Sequence, residues 1–485
     1  MAPTVPPGYL GNLTADQEGR LQNLWALILH LGDSDLSRAL PPPPPDRPSS
    51  NDHDSNSSNN PPSPTLSRRN SWLTRTDSKL SRRASSLSAV SPPPIVIQNL
   101  RNIGMSQSEI KTASRYLANL NTEDLRWHIL VTAKHEPLDA WVLRYLRFCK
   151  WNIKKAFLLL LDATVWRTKI MHVDDHLIPR GELHALHTAE KPGMNGEPAG
   201  QFMDQLRMGK CYIHGVDREN RPICVIRVRL HRPADQSEVA MNQFITHIVE
   251  SCRLLVVPPN ESATVIFDMT NFSLANMDYS PVKFVIRCFE AFYPESLAVL
   301  LIHNAPRVFA GIWKIIKGWI DPDLVKRIHF TRNVEDLEEF IPRTQIVREL
   351  GGAEDWEYNY TEPKEDENLI AEDTETRDAY LAERQELGEE FFSLTTQWIA
   401  SAKLVDPLDV LTIKTQRAEI MDQLRGIYWT LDPYIRARNY LDRNGVIQEG
   451  GKVVHYPSPK QLDRIETAQV LQVVNPARVK VVNVG

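Results

Sequence analysis

Residues 292–330, FYPESLAVLLIHNAPRVFAGIWKIIKGWIDPDLVKRIHF, constrain the fold more tightly than any other stretch. A short apolar run, Leu297 to Ile302, has the length of a buried strand and stops at His303-Asn304-Ala305-Pro306. Proline cannot continue a hydrogen-bond ladder and asparagine favours a turn, so the strand ends there. Beyond the break, Arg307 to Ile320 predicts a helix with two unlike faces. At about 100° per residue, Val308, Phe309, Ile312, Trp313, Ile315, Ile316, Trp319 and Ile320 fall within an arc of roughly 160°. Arg307, Ala310, Gly311, Lys314, Lys317 and Gly318 occupy the other side. Such a helix can lie on anionic lipid, close over an apolar cavity, or pack on its own sheet as most amphipathic helices do.

Composition narrows the classes. The longest apolar runs, among them Leu158 to Leu161, fall far short of the ~20 residues a membrane-spanning helix needs. The amino terminus, MAPTVPPGYLGN, has neither a basic n-region nor an apolar h-region, so no secretory signal is expected and the cytosol is the default location. Cys149, Cys211, Cys224, Cys252 and Cys288 are scattered without C-x-x-C spacing, which points to buried reduced thiols rather than disulfides or a zinc site. A chain of 485 residues, 42% hydrophobic, has material for two or three domains and at least one sizeable core. Its net charge of -5 hides local asymmetry: residues 361–390 hold twelve acids and three bases, whereas residues 67–83 hold six bases and one acid. A basic footprint over a whole domain is missing, so nucleic acid is not an expected partner.

Along the chain, Leu21, Leu24, Trp25, Ile28 and Leu31 mark one buried stripe of a helix over Thr14 to Leu31 that cannot fold alone. Residues 33–94 are so rich in Pro, Ser, Asn and Arg that they predict disorder. Within them, Pro42 to Arg47 fits either a P-x-x-P-x-Arg ligand for an SH3-type groove or a plain polyproline spacer. Arg68-Arg69-Asn70-Ser71 and Arg82-Arg83-Ala84-Ser85 share a spacing that suits a basic-directed kinase, with Ser71 and Ser85 as the phosphorylation candidates. An SH3-type or kinase partner at 41–85 is thus an expectation. Helical periodicity returns from Glu123 to Ile170, with Asn152 as the cap of a helix from Ala156 to Trp166. Cys211 to Val216 and Pro222 to Leu230, joined by Asp217-Arg218-Glu219-Asn220, predict a hairpin. A helix from Glu238 to Leu255 and a buried strand from Ala263 to Met269 follow. Then come Pro281 to Phe292 as helix, Leu297 to Ile302 as strand, the two-faced helix, and Val325 to Phe330 as strand. Strands alternating with helices of this length imply an α/β sheet with crossover connections. After Gly352 an acidic linker leads to two apolar stripes, Leu387, Phe391, Leu394 and Trp398, then Ile413, Ile420, Leu424, Ile427 and Leu431, which predict packing helices. Val453 to Val484 is β-rich and interrupted by proline.

The chain carries no G-x-S-x-G elbow, G-x-x-x-x-G-K-[ST] loop, G-x-G-x-x-G turn or H-E-x-x-H helix. His184 and His187 are spaced for a metal but lack a third ligand nearby, so no metal is expected. Nothing here argues for an enzyme.

Together, Leu143-Arg144-Tyr145-Leu146-Arg147-Phe148, the hairpin Tyr212 to Val228, Phe267-Asp268-Met269, Tyr293-Pro294-Glu295, Asn304-Ala305-Pro306, Ile320-Asp321-Pro322 and Glu349-Leu350-Gly351-Gly352 resemble the CRAL-TRIO lipid-binding family. Within it, the chain is most similar to the fungal secretory phosphatidylinositol transfer protein group, from Asn121 to about Gly352. The resemblance implies an α/β fold of CRAL-TRIO type: a small N-terminal helical lobe, then a mixed, largely parallel sheet flanked by helices over a lipid cavity, with a helical C-terminal extension. The expected division is 1–32 as the first helix of the lobe, 33–94 as a disordered insertion, 95–175 as the rest of the lobe, 176–352 as the lipid-binding domain, and 353–485 as linker and extension.

The same resemblance makes Arg307 to Ile320 a mobile gate, with Phe309, Ile312, Trp313, Ile316, Ala263 and Val265 at the cavity. It implies a bound phospholipid and no other cofactor. Roughly thirty methylenes buried at ~0.8 kcal/mol each are worth about 24 kcal/mol against water, yet a lipid leaving a bilayer for such a cavity exchanges one dry place for another. Opening of the gate at a membrane, with Trp313, Trp319, Lys314 and Lys317 at the headgroups, would then set the rate. Glu295 and Arg327 stand where the family contacts inositol phosphate, or else form an ordinary ion pair at the sheet edge. Cys149, Ser296 and Leu324 replace a family Arg, Arg and Thr, and Lys326 or Arg147 is the candidate to compensate. Ala263, Val265 and Cys224 replace the family's choline-reading Ser, Thr and Tyr, which disfavours phosphatidylcholine. The resulting expectation is a cytoplasmic protein, peripherally associated with endoplasmic reticulum, Golgi or endosome, that moves phosphatidylinositol between membranes. Two rivals stand beside it: a lipid or sterol-like sensor that presents cargo to a partner, and a haem or hydrophobic-cofactor binder with Tyr145, Tyr212 and His303 as ligands.

Overall fold

The computed structural model describes residues 5–34, 36, 91–120, 125–191, 193, 196–401 and 407–457. Ser71, Ser85, the 42–47 proline run and residues 458–485 lie outside the described residues, as does nearly all of the segment expected to be disordered.

Helix starts follow the capping chemistry of the sequence. Helix α1 (Ala15–His30) begins at a reciprocal capping box between Thr14 and Gln17. Helix α2 (Pro94–Asn102) opens on proline, and α3 (Gln107–Leu117) on a second box between Ser106 and Glu109. Then come α4 (Leu125–Ala133), α5 (Leu138–Phe148) and α6 (Ile153–Val165). Asn152 caps α6 as anticipated, its side chain accepting from Lys155 N at 3.0 Å. Helices α7 (Ile178–Ala189) and α8 (Gly196–Arg207) lead to the sheet. Helix α7 breaks at Gly181, where φ is +61° and Ala437 leaves no room for a Cβ.

The hairpin forms as β1 (Cys211–Val216) and β2 (Pro222–Arg227), turned by Asp217, whose carboxylate accepts from the amides of Glu219 and Arg221 at 2.9 Å. Next are α9 (Glu238–Leu254), β3 (Ala263–Asp268), α10 (Tyr279–Arg287), β4 (Leu297–His303), α11 (Phe309–Lys317) and β5 (Ile328–Thr331). The sheet order is β1-β2-β3-β4-β5, antiparallel between β1 and β2 and parallel thereafter. Register aligns Cys224 with Val265, Val265 with Leu300, and Leu300 with Ile328, so these four share one face. Val225, Ile266 and Leu301 share the other face, covered by Leu337, Ile341, Ile346 and Leu350.

Two strand expectations need correction. Val228–Leu230 is a 3-10 turn, not the end of β2. Val325 belongs to a single helical turn, Pro322–Val325, and β5 starts only at Ile328. Asp321 caps that turn, accepting from Asp323 N at 2.8 Å with proline at the first helical position, and this local chemistry outweighs the β preference of valine.

Helices α12 (Thr374–Ser401) and α13 (Pro407–Ile435) carry the two tail stripes into the N-terminal helices. Trp25 meets Phe391 edge-on at 5.6 Å, and Phe391, Trp398, Ile420 and Leu424 belong to the same core as Leu24 and Leu143. Arg417 Nη2 and Trp25 Nε1 each donate to Asp139 Oδ1 at 2.8 Å. Past α13 the chain covers the outer edge of the sheet, where Ile213 N donates to Tyr440 Oη at 2.8 Å and Val216 N to Tyr456 Oη at 3.2 Å. These hydroxyls satisfy amides that an edge strand otherwise presents for pairing.

Candidate functional site

The strand register sends Cys224, Ala263, Val265, Leu300 and Ile302 to the side of the sheet that faces α9, α10 and α11. Between sheet and helices lies a cavity of about 240 Å³ walled almost wholly by aliphatic and aromatic side chains. It exceeds the ~150 Å³ of an apolar cavity that stays dry and takes up benzene. Phe309, Trp313, Ile316 and Ile320 line it from α11 and the turn after it, while Ile312 is buried in the same apolar cluster. The helix is shorter than its sequence pattern suggested, nine residues rather than fourteen, and its apolar arc is not all turned inward. Val308 and Ile315 are each 50% exposed and Trp319 36% exposed. Trp319 stands edge-on to Tyr279 at 5.4 Å with Lys283 Nζ 5.0 Å from its ring. Thus the segment is apolar toward the cavity and, at Ile315 within α11 and at Val308 and Trp319 flanking it, also toward solvent.

A second pocket, of about 270 Å³, adjoins the cavity at the amino ends of β3 and β4, with Phe289, Leu297 and Leu324 lining both. Its polar wall is made by Arg147, Lys150, Glu295, Asp321, Asp323 and Arg327. Glu295 sits at φ +60°, a left-handed conformation that costs a β-carbon residue roughly 1–3 kcal/mol and is retained where the surroundings dictate it. Arg327 Nη2 donates to Glu295 Oε2 at 2.8 Å. Lys150 and Lys326 approach Asp323 at 2.7 and 2.6 Å, and these two ammonium groups hold its carboxyl down at about 2. Lys326 itself is exposed and pairs from outside the pocket lining. Arg147 packs its guanidinium 3.9 Å from the Tyr9 ring and pairs with Glu261. Lys150 was missed from sequence; the available signal was its place beside Cys149, which by the family resemblance replaces an Arg.

Next to the cavity lies a buried ionic cluster. Glu250 accepts from Lys134 Nζ and Arg167 Nη1 at 2.6 Å and from Tyr293 Oη at 2.7 Å, with Arg253 at 3.2 Å. Although burial disfavours its charge, Arg167, Lys134 and Arg253 hold Glu250 well below the usual carboxylate range. Glu136, Arg144, Arg253 and Glu261 carry the cluster to the cavity wall. The structure does not bring Tyr145, Tyr212 and His303 together at the cavity. Tyr145 is in the helical core against Trp141, and Tyr212 is on the opposite face of the sheet against Trp356. His303 bonds Thr331 Oγ1 at 3.0 Å and does not line the cavity.

A family model described as the CRAL/TRIO domain matches residues 206–352. A CRAL-TRIO domain-containing protein of Schizosaccharomyces pombe is 39% identical over 309 residues, 64% of this chain and 66% of that protein. The phosphatidylinositol transfer protein CSR1 of Eremothecium gossypii is 38% identical over 311 residues, 64% of this chain and 68% of that protein. The chain therefore spans about two thirds of the length of each. The crystal structure of Sfh5 gives a TM-score of 0.32 at 18% identity, covering 42% of this chain and 67% of that one.

Proposed function

Because this chain belongs to the CRAL-TRIO family, we propose that it lifts one phosphatidylinositol molecule out of a membrane and delivers it to another. The observation that carries the reading is the junction of two unlike spaces, an apolar cavity under α11 and a charged pocket sharing Phe289, Leu297 and Leu324 with it. Acyl chains belong in the first and a hydrophilic headgroup in the second. A guanidinium suits phosphate because its donors match two oxygens at once, and a carboxylate suits the hydroxyls of a polyol as an acceptor. Arg327 and Glu295 supply that pair, with Arg147 and Lys150 adding positive charge. The walls at Ala263, Val265 and Cys224 present methyl groups and a thiol, with no hydroxyl for a choline headgroup.

Release and uptake would occur with α11 displaced at the bilayer surface, where Trp319 and Ile315 are already outward and Lys283, Lys314 and Lys317 meet anionic lipid. No helix among the described residues is long and apolar enough to cross a membrane, so the contact is peripheral in this reading. The cargo would be the bound lipid alone, without a prosthetic group. Mass spectrometry of lipid copurified with the chain should find phosphatidylinositol, and donor and acceptor vesicles should show its movement. Glu295→Ala with Arg327→Ala should abolish phosphatidylinositol transfer while leaving the thermal midpoint within a few degrees. Undiminished transfer by that double variant would place the headgroup elsewhere, and a lipid that binds without moving would favour a sensor over a carrier.

A further inference from the structure

The cavity has polar groups at its other end as well. Because β2, β3 and β4 run parallel, the pocket at Glu295 sits by their amino ends. The carboxyl ends, near Arg227 and Met269, lie about 20 Å away, the span of a six-residue strand. There the side chains of Lys210 and His231 reach the apolar lining. Lys210 is 4% exposed and His231 9% exposed. Lys210 Nζ donates to Gln236 Oε1 at 2.9 Å and stands 3.4 Å from His231 Nδ1. Among the described residues no carboxylate comes within ion-pair distance of that ammonium. An ammonium donating to Nδ1 puts the imidazole proton on Nε2. That Nε2 faces the Asp278 carboxylate, with Oδ2 3.5 Å away, so the imidazole is turned to Asp278 and Lys210 is left as the cation at the cavity.

An ammonium buried without a counter-ion is unfavourable. Burial accordingly pulls Lys210 down to about 8, against the opposing influence of Asp235 and Asp278. A ligand anion would remove that penalty, and the adjoining walls accept hydrocarbon. We infer that this end of the cavity binds the carboxylate of a single-chain lipid acid, with Lys210 Nζ as counter-charge and the tail extending along β3. The site depends on the proposed capacity of the cavity for hydrocarbon, and goes beyond it in naming an acidic end group.

Palmitate and hexadecanol differ only in that end group and serve as the probes, titrated into delipidated full chain. Wild-type protein should bind palmitate at least tenfold more tightly than hexadecanol. Lys210→Met should bind the two within twofold of each other, with hexadecanol affinity unchanged, and Lys210→Arg should keep a preference for the acid. Equal affinities in the wild-type chain, or an undiminished preference in Lys210→Met, would overturn the assignment of Lys210. Binding of neither probe would overturn both it and the hydrocarbon capacity of the cavity. The wild-type comparison stands even where a variant fails to fold.

Discussion

Glu250 shows how much one side chain can hold. Its two oxygens answer Lys134, Arg167, Arg253 and Tyr293 in a region where all five are buried. Removing one partner from such a cluster leaves the others charged and dry, which costs about 3–5 kcal/mol. Glu250→Gln should therefore lower the free energy of unfolding by about that amount in a urea titration, and a loss under ~1 kcal/mol would mean that water enters the cluster. At the same scale, position in the chain conceals function. Lys210 looks like an ordinary surface lysine in sequence, because only the fold decides which lysine ends in a pocket and which in solvent. Glu295 and Arg327 were legible as candidates through family resemblance, and the structure sets them 2.8 Å apart.

At the scale of elements, α11 hangs between two breaks, Asn304-Ala305-Pro306 and Ile320-Asp321-Pro322, and the second is tied down by Glu290. Glu290 Oε1 accepts from Asp321 N at 2.6 Å. Burial raises its pKa from 4.5 to about 7, opposed by the Asp321 amide and assisted by the Asp321 carboxylate. A carboxyl with a raised native pKa binds its proton more tightly when folded, so its stabilising contribution is complete below about pH 4.5 and is lost as pH rises through about 7. The whole effect is on the order of 3 kcal/mol. Thermal or urea unfolding between pH 5 and 8 should show that decline, and Glu290→Gln should flatten it; identical slopes would assign the decline to another group. Periodicity made most elements readable, since hairpin, parallel strands and capped helices each obey local rules. It did not show that Val308, Ile315 and Trp319 turn outward, because an amphipathic arc says which residues share a side and not how much of that side a neighbour covers.

Across the whole molecule, the sheet with its cavity is one half of the design and a helical body made from both ends of the chain is the other. Stripes in the tail were legible as packing surfaces, but their destination was not, since nothing local tells Phe391 that it will meet Trp25. A chain ending at Gly352 would strip Arg417 from Asp139 and expose the core side of α1. It should bind a hydrophobic dye such as ANS and unfold at a lower temperature with a broadened transition, as incompletely packed states do. A sharp transition at the unchanged midpoint would show that α12 and α13 rest on the core without completing it.

That shared body sets a schedule. Gln22 bonds Trp398, 376 residues later in the chain. At ribosomal speeds of about 5–20 residues per second, α1 emerges roughly 20–75 s before the Trp398 surface does. Until then Leu21, Leu24 and Trp25 can pack only on the helices over 125–165, and the face of α1 that meets Phe391 and Trp398 stays open for that whole interval.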